Sequence, residues 1–302
     1  PAPLVHRSLV FEIGERMLHD GTPQTALDEA RVEEVADELA ALDVEAVAIC
    51  FLHAYANPAH EERVKAILTS RLPDLFISCS SEVSSEVGEF ERFATTLLNV
   101  YVAPRMGRYL HSVGNSLKEM GHKREIAIMT SSGGTASIGR ISQLPVLSML
   151  SGPASGVIGA AHVGELTGYS DLITYDMGGT STDTCLISDL EWPMTSDGQI
   201  GALPNRVQQI EINSIGAGGG SIASIGPAGY LSVGPESAGA RPGPACYGKG
   251  GIAPTVTDAN VVLGRLGADR LLGDEISIDR AVAEKVVGEL GGRLGLGTLD
   301  MA

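Results

Sequence analysis

Apolar residues recur at helical spacing near the start of the chain. Val32, Val35, Leu39 and Leu42 fall on one face, and Thr25 followed by Asp28 resembles a capping box, so a helix is predicted over residues 25–41. The unbroken apolar run at residues 46–52 predicts a strand covered on both faces, as in a parallel sheet. A second helix is predicted over 58–72, with Pro58 near its start, and a short strand over 75–79. Residues 86–120 read as helix with an interruption near Pro104. Strands are predicted at 126–129 and 172–175, flanking a helix rich in small residues at 153–166. Alternation of strands and helices predicts βαβ units and a mostly parallel sheet. After Asp176 the texture changes to short strands at 184–187, 207–215 and 222–225, with little helix until Asp258. The polar, flexible stretch at 115–125 marks a domain boundary, giving domains at 1–115 and 116–302; no tandem repeat is present.

Bulk properties narrow the function. A chain of 302 residues, 43% hydrophobic and 19% charged, has the balance of an ordinary globular protein with a sizeable core. A net charge of −16 leaves no excess of cations for a nucleic-acid backbone or an anionic lipid surface, so neither is an expected partner. A nucleotide remains compatible, because a few backbone N–H groups and one metal ion offset its charge locally. Cys50, Cys79, Cys185 and Cys246 lack ligand or disulfide spacing, which fits a reducing, cytoplasmic setting. No apolar run reaches the roughly 18 residues of a membrane span. The chain begins at Pro1 without a Met and ends at 299–302 as if cut internally, so a fragment is expected.

The strongest chemical signal is residues 172–183, LITYDMGGTSTD. An apolar strand ends at Asp176, and a tight turn follows with Gly178 and Gly179, then the hydroxyls of Thr180, Ser181 and Thr182. Glycines admit phosphate oxygens close to backbone N–H groups, because no Cβ stands in the way. Asp176 is placed to organise a hydrated Mg²⁺, and Asp183 to orient the loop hydroxyls. An ordinary hairpin turn uses the same residue types, so the local pattern alone leaves both readings open. A second glycine turn, Gly216 to Gly220 with Ser221, follows a later strand; Gly218, Gly219, Gly220 and Ser221 are predicted to grip the same phosphates. The order of helix, strand, Asp-Gly-Gly-Thr turn, hairpin strands and second glycine turn resembles the actin, sugar-kinase and heat-shock ATPase superfamily. That resemblance implies a ribonuclease H-like α/β fold, present here in part, with ATP between two halves.

Residues 234–248 (GPESAGARPGPACYG) and 254–260 (PTVTDAN), with 50–53 (CFLH) and 151–153 (SGP), give a narrower resemblance, to the hydantoinase A/5-oxoprolinase family. On that resemblance, residues 1–115 would be the later part of the family's N-terminal region and 116–302 its core. It implies ATP- and Mg²⁺-dependent hydrolysis of a cyclic amide of the 5-oxoproline or hydantoin type, through phosphoryl activation of a carbonyl, with a hydantoinase B-type partner. It also admits a nucleotide-binding subunit of an ATP-dependent ketone carboxylase. A non-enzymatic chaperone- or actin-like ATPase module and a carbohydrate kinase are the remaining alternatives. Family members resemble the superfamily in carrying an earlier Asp-x-Gly-Gly-Thr loop; this chain has none before Asp176, which implies that it begins after it.

Other positions are open to two readings. His53 ends an apolar strand, where parallel sheets present functional groups, although a structural histidine fits as well. Asp258 and Asn260 are placed to touch nucleotide or metal, or simply to cap the following helix. Residues 131–134 (SSGG) line a cleft or form a strand-to-helix turn. Glu89, Glu91 and Arg92 read as a solvated helix face, and Cys246 has no base beside it.

Overall fold

The computed structural model describes residues 4–267 and 277–302. The chain divides into two compact units, Pro1–Ile158 with Trp192–Glu211 and Gly159–Glu191 with Ile212–Ala302. Mixed α/β architecture is present in both.

A short hairpin, β1 (Arg16–Met17) and β2 (Pro23–Thr25), precedes helix α1 (Glu29–Leu42). The predicted helix therefore starts four residues late. Residues 23–25 pair with β1, and Asp28, not Thr25, is the N-cap, accepting the Arg31 N–H at 3.0 Å. Strand β3 (Ala46–Ile49), helix α2 (Ala59–Arg71) and strand β4 (Phe76–Cys79) form a βαβ unit whose strands pair in parallel, Ala46 opposite Phe76 through Ile49 opposite Cys79. The stripe of α1 meets α2 and the strands in one core of Val32, Val35, Leu39, Ile49, Val64 and Leu68. A short turn of helix, α3 (Ser80–Val83), leads towards α4 (Glu89–Glu119). Helix α4 is continuous through Pro104, against the predicted interruption. The proline removes one N–H, yet Leu98 and Ala103 before it and Leu110 after it are buried, so packing holds both halves in line.

Strands β5 (Ala127–Met129) and β6 (Thr135–Ser137) form an antiparallel hairpin, followed by the short helix α5 (Ile138–Gln143). The residues predicted as a strand-to-helix turn thus close a hairpin. Gly133 has φ 88° and donates to the Thr130 carbonyl at 3.0 Å, a left-handed turn that glycine adopts without strain. Helix α6 (Ser151–Thr167) follows, and the division between units falls within it.

In the second unit, β7 (Leu172–Met177) and β8 (Thr182–Ile187) form a six-residue hairpin. The chain then returns to the first unit for the small hairpin strands β9 (Met194–Thr195), β10 (Gly198–Ile200), β11 (Leu203–Asn205) and β12 (Gln209–Ile210). The strand predicted over 207–215 is consequently split. Ile210 belongs to the first unit, whereas β13 (Asn213–Ile215) pairs with β8, giving a three-stranded sheet ordered β13-β8-β7. Strands β14 (Ser221–Ile225) and β15 (Leu231–Ser237) pair antiparallel, and helices α7 (Val256–Val262), α8 (Arg280–Leu294) and α9 (Thr298–Met301) complete the unit. Its core gathers Ala245, Cys246, Val261, Val262, Ala283 and Val287.

The expectation of a mostly parallel sheet is corrected. Among the described residues, only β3 and β4 pair in parallel; every other strand pair is antiparallel. The reason is connection length. Parallel pairing needs a crossover of about a dozen residues or more, as α2 provides between β3 and β4, whereas the turns after β5 and β7 are hairpin-short and join antiparallel strands.

Candidate functional site

The hairpin β7–β8 ends in the turn 178–181, closed by the Gly178 N–H donating to the Ser181 carbonyl at 2.9 Å. Asp176 and Asp183 stand directly opposite each other across the hairpin. Opposed residues of an antiparallel pair share a face, so two carboxylates meet at the base of the turn. Like charges so placed repel unless a cation or a donor lies between or beside them. The Ser214 hydroxyl on β13 donates to the Asp183 carboxylate.

The second glycine turn lies against the first. Gly219 N–H donates to the Gly178 carbonyl at 2.9 Å and Gly220 N–H to the Gly179 carbonyl at 2.6 Å. The Thr182 hydroxyl donates to the Ala217 carbonyl at 2.5 Å, and the Gly218 N–H donates to Ser221 Oγ at 2.8 Å. Glycine is required here by close approach. A Cβ on Gly218 would stand 2.7 Å from Thr180 N and 2.8 Å from the Gly178 oxygen, and one on Gly220 would stand 2.8 Å from the Gly179 oxygen. From behind, the Thr257 N–H and hydroxyl both donate to the Gly219 carbonyl at 2.8 Å.

The two turns predicted from sequence are therefore neighbours, but their amides have different employment. Those of Gly218, Gly219 and Gly220 are spent inside the structure, and the buried Ser221 hydroxyl is an acceptor in the turn. Among the described residues, the amides of Gly179, Thr180 and Ser181 have no acceptor, and Gly179 and Thr180 are exposed. Three consecutive unsatisfied N–H groups on an exposed turn, beside a carboxylate pair, form a site able to accept an anion together with a cation. The donor set suits Mg²⁺, which takes one or two carboxylates and completes its shell with water and substrate phosphates. No group of three or more His, Cys, Asp or Glu suitable for a metal occurs among the described residues, so a cage built wholly of protein ligands is absent there.

Asp258 lies elsewhere. It is completely buried, and its carboxylate accepts from Cys246 N–H at 2.8 Å, Ala245 N–H at 3.3 Å, and the N–H and hydroxyl of Thr255 at 2.9 and 2.7 Å. With Thr255 it forms the capping box of α7 while clamping the 245–246 loop. Its oxygens face the protein. Burial, with Asp258 alongside, pushes the Cys246 thiol up to about 12, so it stays protonated at neutral pH and is no nucleophile. No disulfide joins Cys50, Cys79, Cys185 or Cys246, and no helix among the described residues is long and apolar enough to cross a membrane.

One cluster was missed by sequence reasoning. Arg92, read as part of a solvated face, is 1% exposed, and its guanidinium donates to Ser80 Oγ, the Glu86 carbonyl and the Phe51 carbonyl at 3.1, 3.0 and 2.8 Å. Glu61, fully buried, accepts from Phe51 N–H, Ser80 Oγ–H, Ser81 N–H and Ser81 Oγ–H at 2.6 to 2.9 Å. Opposite charges linked through Ser80 thus fasten the ends of β3 and β4. They hold the loop on which His53 adopts φ 57°, a conformation costing a non-glycine residue about 1 kcal/mol or more. Tyr55 lies edge-on to His53, with its hydroxyl 3.4 Å from Nδ1. No periodicity marks Arg92 or Glu61 as buried, because each occupies a helix position that a surface residue would also fill.

Comparison with known proteins gives consistent matches. The Hydantoinase/oxoprolinase family model matches residues 92–302, and that for the Hydantoinase/oxoprolinase N-terminal region matches residues 1–72. The caprolactamase subunit alpha of Pseudomonas jessenii is 40% identical over 280 residues, covering 93% of this chain and 40% of that protein. The 5-oxoprolinase of Saccharomyces cerevisiae is 37% identical over 240 residues, covering 79% of this chain and 18% of that protein. In three dimensions, the nucleotide-free structure of acetone carboxylase, from work on ATP-dependent acetone carboxylation, superposes with a TM-score of 0.82 at 32% identity, covering 100% of this chain and 43% of that one. The chain therefore spans less than half the length of these relatives.

Proposed function

Since the chain belongs to the hydantoinase/oxoprolinase family, we propose that it forms the phosphate-gripping part of an ATP-dependent enzyme that opens a cyclic amide. The observation that carries this reading is the braced turn at Gly179, Thr180 and Ser181, with three amides lacking acceptors beside the facing Asp176 and Asp183. When bound, Mg-ATP supplies a phosphoryl group that turns an amide carbonyl oxygen into part of a leaving group, which overcomes the resonance that makes amides poor electrophiles. The chain's share is positioning and charge neutralisation. The free amides hold phosphate oxygens, Asp176 holds the hydrated Mg²⁺, and Asp183, fixed by Ser214, keeps the second carboxylate in register. Gly218, Gly219, Gly220 and Ser221 act by bracing the first turn from behind. Asp258 acts through the loop it clamps.

The surrounding fold is proposed to be one half of an actin-like, ribonuclease H-like ATPase. The antiparallel β13-β8-β7 sheet with the turn at its tip supports that assignment. The substrate is proposed to be a lactam, 5-oxoproline or a hydantoin, and the rest of the machinery to include a hydantoinase B-type subunit in the cytoplasm. Relatives named as subunits of caprolactamase and of acetone carboxylase support a multi-subunit enzyme. A second reading, the nucleotide-binding subunit of a ketone carboxylase, is favoured by the superposition on acetone carboxylase. Shape follows fold, whereas side-chain identity follows chemistry more closely, and identity is higher to the caprolactamase. The deciding measurement is ADP release by the full-length protein with its partner subunit, in the presence of caprolactam, 5-oxoproline, hydantoin, or acetone with bicarbonate. Turnover dependent on a cyclic amide is expected. ATP hydrolysis indifferent to every carbonyl compound, yet stimulated by a protein client, refutes it.

A further inference from the structure

The first unit carries a concavity of about 490 Å³ that shares no residue with the glycine turns. It opens between the last turns of α4 and the segment leading into β5, β6 and α5. Its floor is apolar, formed by Leu110, Leu117, Ile126 and Ile138, while Lys118, Lys123 and Arg124 line its wall. Three features make this wall unusual for the protein. The whole chain has 37 acidic against 21 basic residues, yet the lining holds these three cations against one carboxylate, Glu125. Among the described residues, Lys118, Lys123 and Arg124 make no ion pair or side-chain hydrogen bond, although the chain has acidic groups in plenty. His111 and His122 also line it, offering further nitrogen donors or acceptors.

We propose that this concavity binds a small amphipathic anion: an apolar or aromatic body seated on the leucine and isoleucine floor, with a phosphate, sulfonate or carboxylate held by Lys118, Lys123 and Arg124. The volume lies within the range of about 300–1,000 Å³ typical of small-molecule sites. The apolar floor focuses the field of the cations and strengthens it against the acidic remainder of the chain. An extended acidic protein surface needs a flat or convex cationic patch; the concave shape and the apolar floor favour the small ligand.

The test uses two fluorescent probes on the full-length protein with its partner subunit. One is 8-anilinonaphthalene-1-sulfonate; the other is N-phenyl-1-naphthylamine, the same rings without the sulfonate. Lys123→Glu with Arg124→Glu is expected to weaken one sulfonate-probe site at least tenfold while leaving the neutral probe within twofold. Gly114→Leu fills the floor without touching charge, since a Cβ there meets nothing nearer than Ile138 Cδ1 at 3.6 Å. It is expected to abolish that same site for both probes, with unchanged circular dichroism and melting temperature confirming the fold. The proposal is overturned if the sulfonate probe finds no site that either variant affects, or if the charge reversal weakens both probes equally. It is also overturned if the reversal spares probe binding and instead weakens association with the partner subunit, which would make the patch a protein interface.

Discussion

Replacing Gly218 by alanine separates bracing from ligand contact. The added Cβ would stand 2.7 Å from Thr180 N and 2.8 Å from both Gly178 O and Gly179 C, all backbone atoms with no side chain to swing aside. Restoring ordinary contact at 3.4 Å requires the two turns to part by about 0.7 Å, and overpacking of this kind costs about 1–3 kcal/mol. The Gly219-to-Gly178 and Gly220-to-Gly179 hydrogen bonds lengthen with that movement, each worth about 1 kcal/mol net. For a unit of this size a loss of about 2 kcal/mol lowers the melting temperature by about 4–8 °C. Gly179→Ala is the control. Its Cβ meets nothing within 4 Å and its φ is not in the left-handed region, so stability is expected to stay within about 0.5 kcal/mol. That same methyl projects from the exposed turn carrying the free amides, so affinity for a non-hydrolysable ATP analogue with Mg²⁺ is expected to fall tenfold or more. Thermal unfolding and calorimetric titration of both full-length variants give the answer. A Gly218→Ala protein with parental melting temperature refutes the bracing role, and a Gly179→Ala protein with parental nucleotide affinity refutes the ligand-facing one.

Further outcomes follow from the buried groups. Asp258→Asn places an NH₂ among the N–H donors of Ala245, Cys246 and Thr255, and urea unfolding is expected to show a loss of about 1–3 kcal/mol; a smaller change than 0.5 kcal/mol contradicts the clamp. Cys246 is expected to resist iodoacetamide at pH 8 in the folded protein and to react on unfolding, so stoichiometric native labelling counts against its raised pKa. The sign of its pH effect is fixed: a thiol raised from 9.0 to about 12 contributes stability fully present below pH 9 and lost as pH climbs towards 12. Arg92→Met strands the buried Glu61 without its cation and is expected to cost about 3–5 kcal/mol; combining it with Glu61→Gln should recover part of that loss, and strictly additive effects would argue that the two charges are not coupled.

Local periodicity and residue chemistry sufficed for much of this protein. The stripe Val32, Val35, Leu39 marks the buried face of α1, the apolar run at 46–52 marks a parallel strand that ends at Ile49, and Asp176 followed by Gly178 and Gly179 marks a strand ending in a backbone-exposing turn. Such features are short-range, because side-chain spacing along a helix or strand is set by the geometry of the element itself. What required the tertiary structure was every choice of partner. Two glycine turns 40 residues apart in sequence looked equivalent, yet only in three dimensions do the amides of Gly219 and Gly220 donate to Gly178 and Gly179, while those of Gly179, Thr180 and Ser181 find no acceptor among the described residues. Asp258 read as a nucleotide or metal contact or a helix cap and Arg92 as part of a solvated face; both are buried anchors, because distant backbone donors and acceptors needed satisfying where no water reaches. A hydrogen-bonding group carries no sequence mark of which partner it will find; burial far along the chain decides that, since an unsatisfied buried polar group costs too much to persist.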